Sequence, residues 1–204
     1  MADTNDPNGL TKNEYKIIVA GNVGSGKSTS IREISQVPVI GTETKPSEAN
    51  SLQQKETTTT AMEYGVTWIE NKKIHLYGTP GQRRFDFMTD ILCKGASGMV
   101  LMINNGCQNP LQEIDYYLNK HNDFLLQHPA IIAITHYDDM NTGTTLSDYH
   151  RYIFEQGFSC PVIRVDARKK IEVEKLLLQL LLQIIQAKTG KNSYENSSPH
   201  QVAA

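Results

Sequence analysis

The sequence predicts an α/β domain with a mainly parallel sheet, helices on both faces and one antiparallel strand. Three observations carry this. An apolar stretch at 15–20 runs into a glycine-rich loop and then into a segment, 29–36, with Ile31 and Ile34 at helical spacing. Apolar strand patterns at 62–69, 73–77, 98–104, 130–135 and 162–166 then alternate with helical patterns at 87–93, 111–126, 146–155 and 173–187. One pair breaks the alternation. The strands ending at Ile69 and starting at Lys73 are separated only by Glu70, Asn71 and Lys72, too short for a crossover, so they form an antiparallel hairpin.

The strands at 99–103 and 131–134 are apolar throughout, as strands covered on both faces are. The last helical stretch carries Leu176, Leu177, Leu178, Leu180, Leu181, Leu182, Ile184 and Ile185 around most of its circumference. Its polar stripe, Glu172, Lys175, Gln179, Gln183 and Gln186, is narrow, which favours deep burial over a second contact surface. The ends, 1–13 and 190–204, are polar and poor in large apolar residues and read as disordered tails around a single domain at 14–189.

With 204 residues the chain can bury a full core without staples. A formal net charge of −2 gives no sequence-wide basic field, which argues against nucleic acid as a partner. Cys93, Cys107 and Cys160 have neither metal-ligand spacing nor a paired framework, and they suit a reducing, cytoplasmic setting as small buried hydrophobes. No apolar run approaches a membrane span. Neither end shows a secretion, acylation or prenylation signal, so no direct membrane anchor is expected.

The loop Gly21, Asn22, Val23, Gly24, Ser25, Gly26, Lys27, Ser28, followed by Thr29, fits the phosphate-binding pattern G-x-x-x-x-G-K-[ST]. Strand, loop and helix are the context its chemistry needs. Loop and helix N–H groups point at the phosphates, the helix dipole favours negative charge, Lys27 reaches the β- and γ-phosphates and the Ser28 hydroxyl ligates Mg²⁺.

With Gly78-Thr79-Pro80-Gly81-Gln82-Arg83-Arg84-Phe85 in place of the third motif, the chain resembles the small GTPases over about 14–189. The resemblance implies a Ras-like G domain of the P-loop NTPase class that binds GTP and GDP with Mg²⁺. It implies that the Gly81 N–H meets the γ-phosphate and that Gln82 is catalytic, orienting the attacking water. The family's switch threonine, four residues before an acidic residue, selects Thr59, with Thr58 as fallback. Its hydroxyl joins Ser28 as a metal ligand when a γ-phosphate is present. In the base-recognition position the chain reads Thr135-His136-Tyr137-Asp138 where the family has Asn-Lys-x-Asp. Asp138 keeps the carboxylate for guanine N1 and N2, His136 replaces the lysine stem that lies along the base, and Thr135 replaces an asparagine that ties loops together. Val165-Asp166-Ala167-Arg168 matches the Ser-Ala-Lys segment weakly, placing the Ala167 backbone at guanine O6 beside Arg168.

Two departures bear on turnover. The third motif opens on Gly78, where the family has an aspartate that holds Mg²⁺ through a water. The first switch region, 37–58, has Lys45 and Lys55 but no arginine. Slow hydrolysis accelerated by a partner is therefore expected; Arg83 and Arg84 beside Gln82 could supply the missing positive charge, although such a pair on a switch is more often solvated and partner-facing. The wording Gly-Thr-Pro-Gly-Gln is similar to a bacterial branch related to the signal-recognition-particle-receptor β subunit, near the cell-polarity GTPases. That similarity implies effectors and an activating protein at the switch loops, a roadblock-type protein among them. Tyr64, Trp68 and Tyr77 lie on the hairpin between the switches, a surface that reads the nucleotide state to effectors in related proteins; the alternative is packing against the sheet's own helices, and for Trp68 the two are equally open. Two alternatives stand beside the switch: a non-hydrolysing nucleotide-dependent scaffold, suggested by Gly78 and the altered base motif, and a P-loop small-molecule kinase, disfavoured by Gly81-Gln82.

Overall fold

The computed structural model describes residues 13–41, 62–82, 85–137 and 143–195. Seven strands form one sheet in the order β2-β3-β4-β1-β5-β6-β7. They are β1 (Glu14–Gly21), β2 (Ile40–Gly41), β3 (Glu63–Ile69), β4 (Lys72–Gly78), β5 (Gly98–Asn104), β6 (Ala130–Thr135) and β7 (Val162–Arg164). The pairs β1–β4, β1–β5, β5–β6 and β6–β7 are parallel, and β3 is antiparallel to both β2 and β4. The hairpin is therefore present, but its antiparallel member sits one strand out from the loop-bearing β1, because β4 takes the place beside it. Glu70 makes the tight turn at φ 51°, in the left-handed region.

Side chains alternate between two cores, one on each face of the sheet. On one face Ile17, Val19, Ile74, Leu76, Val100, Met102 and Ile131 pack against α1 (Lys27–Ile34) and α6 (Lys170–Glu195). On the other, Ile18, Ala20, Met99, Leu101, Ile103, Ile132 and Ile134 meet residues of α2 (Asp86–Cys93), α3 (Pro110–Lys120), α4 (Asn122–Gln127) and α5 (Leu146–Glu155). This two-sided cover accounts for the all-apolar β5 and β6.

Several local expectations are corrected. The helix expected over 111–126 is two helices, α3 and α4, broken at the buried His121 (φ −109°, ψ 19°), whose ring stacks on Tyr117. β7 ends at Arg164 because the Asp166 N–H turns aside to donate to Glu172 Oε2 at 2.8 Å. The edge strand β2 is too short to leave a periodic signal. Helix α6 continues to Glu195, past the expected tail boundary. Within it Val173, Leu176, Leu177, Leu180, Leu181 and Ile184 are buried, while Leu178 and Leu182 stand exposed. Thr145 caps α5. It accepts from the Asp148 N–H and its own N–H donates to Asp148 Oδ2. The three cysteines are half-buried and unpaired, with thiols pushed up to about 11, chiefly by burial. Among the described residues no helix is long and apolar enough to cross a membrane.

Candidate functional site

The C-terminal ends of β1, β4, β5 and β6 open onto one side of the sheet, the position where open α/β sheets bind ligands. There β1 delivers the phosphate loop directly into α1. Gly24 and Gly26 take φ of 76° and 92°, so the chain curls in a conformation that L side chains rarely adopt. At Gly26 a Cβ would also stand 2.9 Å from the Ala167 Cβ, so this glycine lets the loop after β7 close on the phosphate loop. Lys27 is buried within the curl, and its Nζ donates to the Asn22 carbonyl at 2.6 Å. Burial lowers its ammonium to about 8, an effect partly offset by the carboxylates of Glu113 and Glu63. A desolvated cation beside the N-terminus of α1 is an anion site.

The third motif lies against this loop. A Cβ on Gly81 would stand 2.6 Å from the Val23 nitrogen and 3.0 Å from Lys27 Nζ, so only a bare backbone fits between them. β4 sets this approach: Gly78 pairs with Val19 of β1, and the Thr79 N–H continues the ladder to the Val19 carbonyl at 3.0 Å. Gln82 follows, half-buried, its carbonyl accepting from the Phe85 N–H.

On the other side of α1 a cavity of about 380 Å³ is lined by Gly26, Thr29, Thr135, His136, Ala167 and Arg168 among others. Such a volume suits a small organic ligand. Thr135 is almost fully buried, and its hydroxyl lies 3.0 Å from the Ser25 carbonyl and 3.2 Å from that of Ile103. The loop-tying role expected of this position is kept by a shorter side chain. His136 sits at φ 52°, its Nδ1 3.0 Å from Thr135 Oγ1. With the threonine proton donated to a carbonyl, the Nδ1–H donates in turn to Thr135 Oγ1.

The loop at 165–169 is shaped by charge. Asp166 accepts from the Arg168 N–H (3.0 Å) and from its guanidinium through Nε and Nη2 (both 2.9 Å). These bonds hold the Asp166 carboxyl well below the usual carboxylate range. Arg168 is thus committed to shaping the loop while Ala167 lines the cavity. Residue reasoning missed Arg164 and Tyr137, which line the same cavity with the Arg164 guanidinium 5.0 Å from the ring centroid of Tyr137. Residues from two distant segments meet there, so no local pattern marks them.

The structure thus brings together Gly21 through Thr29, Gly81, Gln82, Thr135, His136, Ala167 and Arg168. Thr59, Asp138, Arg83 and Arg84 lie outside the described residues. Among the described residues no group of three or more His, Cys, Asp or Glu is placed to hold a metal. A hard cation held by a hydroxyl and phosphate oxygens fits that donor set. Mg²⁺ uses few protein ligands, and Ser28 stands in the first turn of α1 beside Lys27.

The sheet order, with β1 running through the glycine-rich loop into α1 and Gly81 close against that loop, is that of a Ras-like G domain. Residues 16–138 match the family model described as "Ras of Complex, Roc, domain of DAPkinase", and the chain belongs to that family. It is similar to an uncharacterized protein of Methanocaldococcus jannaschii, 34% identical over 95 residues, 47% of this chain and 54% of that relative, so the match spans about half the relative's length. It is also similar to the Ras-related protein RabC of Dictyostelium discoideum, 25% identical across 88% of this chain and 87% of the relative. The Ras-related protein Rab-30 of Homo sapiens is 20% identical across 91% and 87%.

Proposed function

We propose that the protein is a GTP/GDP switch that binds Mg²⁺-nucleotide, hydrolyses GTP slowly and signals through its switch loops. The observation that carries this reading is the seating of Gly81 against Val23 and Lys27. A loop whose backbone rests on the phosphate cradle changes its contacts when a γ-phosphate is present or absent, which is the requirement for a switch. In this reading Lys27 and the loop N–H groups hold the phosphates, Ser28 and Thr59 hold Mg²⁺, and Gln82 orients water. His136, Asp138 and Ala167 receive guanine. Mg²⁺, when bound, neutralises charge on the phosphate oxygens. Effectors and an activating protein, with a roadblock-type protein as the partner class implied by the third-motif wording, meet the switch loops in the cytoplasm. The exposed Phe87 and Ile91 on α2, the helix that follows the third motif, support a contact surface there.

Competition binding of GTP, GDP and ATP at fixed Mg²⁺, with phosphate release from bound GTP, tests the reading. Guanine nucleotides are expected to bind far more tightly than ATP, with slow release of phosphate. Equal affinity for ATP and GTP overturns the guanine assignment. Tight GTP binding without any phosphate release in a single turnover favours the scaffold, the second reading, which the glycine at position 78 supports.

A further inference from the structure

Glu63 is a buried carboxylate at the mouth of the phosphate loop, with its side chain 4% exposed. It opens β3 directly across the antiparallel ladder from Gly78, which has no side chain. A Cβ on Gly78 would stand 3.4 Å from Glu63 Cβ and 3.6 Å from Oε2, so the carboxylate occupies the space beside that bare position. Gly78 in turn pairs with Val19, two residues before Gly21. Glu63 Oε1 meets Arg32 Nη2 at 3.1 Å, and Arg32, 58% exposed, lies one turn beyond Ser28 on the same face of α1. Side chains on a helix lean towards its N-terminus, which brings this pair up towards the Ser28 hydroxyl. The charge is near enough to Lys27 to favour that residue's protonated form. Burying a carboxylate here for the sake of one largely solvated arginine gains little, since exposed partners contribute weakly.

We infer that Glu63 is a positioning residue for the metal: its carboxylate accepts hydrogen bonds from water in the Mg²⁺ shell, supplied from β3 across the gap at Gly78. The inference rests on the nucleotide-switch reading. It makes the chain's magnesium site depend on a strand that also leads out of the first switch region, so that metal occupancy and the seating of β3 are coupled.

The test follows release of a fluorescent GDP analogue from the full chain as free Mg²⁺ is varied. Each variant's nucleotide-free thermal unfolding is recorded beside it. Glu63→Gln is expected to raise the Mg²⁺ midpoint about tenfold, the worth of a good water-mediated hydrogen bond, and to leave release in excess chelator unchanged. Arg32→Ala, which breaks the ion pair but keeps the carboxylate, should not raise the midpoint. Gly78→Asp in the Glu63→Gln background should restore it, since the nearest obstacle to a side chain there is the flexible end of Ile31. If Glu63→Gln does not fold, Glu63→Asp, which keeps the charge but retracts it, should raise the midpoint in its place. An unchanged midpoint in the folded variant overturns the inference, as does an equal rise with Arg32→Ala, which would make the pair merely structural. A wild type that releases GDP at one rate with or without Mg²⁺ also overturns it while sparing the switch. A wild type that binds neither GDP nor GTP overturns the switch reading beneath.

Discussion

The Thr135 hydroxyl lies 3.0 Å from the Ser25 carbonyl, joining the end of β6 to the phosphate loop through a fully buried contact. In the proposed reading, one hydroxyl thus links the segment assigned to the base to the loop assigned to the phosphates. Thr135→Val keeps the shape and removes the bond. It is expected to cost about 1–2 kcal/mol of stability, because a carbonyl loses its donor. It should also weaken GTP and GDP together several-fold. Chemical denaturation and equilibrium binding read the two effects; unchanged binding would show that the loop holds its form alone.

Lys27 gives the clearest pH dependence. Burial lowers its ammonium from the ordinary 10.5 to about 8. Between those values the unfolded chain keeps a proton that the nucleotide-free fold has released, so stability rises with pH across the window. Below about 8 the full burden of the buried charge, roughly 3 kcal/mol, is present. Nucleotide phosphates relieve it by restoring the proton. Binding above pH 8 should therefore take up a proton and weaken as pH rises, which calorimetry in buffers of different protonation enthalpy measures. Lys27→Met should abolish tight nucleotide binding, remove the proton uptake and leave the nucleotide-free fold at least as stable. A variant less stable than wild type would mean that the Lys27–Asn22 bond outweighs the desolvation.

Gln82 directly follows the glycine that rests on the phosphate loop. Gln82→Leu is expected to slow single-turnover hydrolysis at least tenfold without loosening GTP binding. Hydrolysis at the wild-type rate would assign the water to another group.

In the proposed reading the base preference rests on Asp138, which lies outside the described residues. Its carboxylate accepts from N1–H and the N2 amino group of guanine, whereas adenine offers neither donor. A site that leaves such a pair unmade discriminates by several kcal/mol. Asp138→Asn should weaken GTP and favour xanthosine triphosphate, whose C2 carbonyl accepts from the new amide. Competition binding with the three nucleotides decides it, and an unchanged order of affinity removes Asp138 from the site.

The phosphate loop, the two-sided β5 and β6 and the β3–β4 hairpin are all legible in the sequence because each is written in consecutive residues. Gly21 to Ser28 is one contiguous loop, the apolar runs at 99–103 and 131–134 are local, and a three-residue link permits only a hairpin. The base-side segment is legible only as a weak match, since Asp166, Ala167 and Arg168 gain their meaning from the bonds Asp166 makes to Arg168. Sequence spacing gives no hint of the break at His121 or the cavity contact between Arg164 and Tyr137, whereas the cap at Thr145 stands in the Thr-x-x-Asp spacing of a capping box.

What the sequence by itself determined is the class of chemistry: the glycines, Lys27 and Ser28 specify a phosphate site through local backbone conformation and charge. What only the tertiary structure decided is how the remaining parts meet it. Strand order placed β4 rather than β3 beside β1, and thereby seated Gly81 on the loop. Cross-strand register placed Glu63 opposite Gly78, and a buried hydroxyl tied Thr135 to Ser25. These are contacts between residues far apart in the chain, fixed by packing and ladder register. No pattern of neighbours along the sequence encodes them singly.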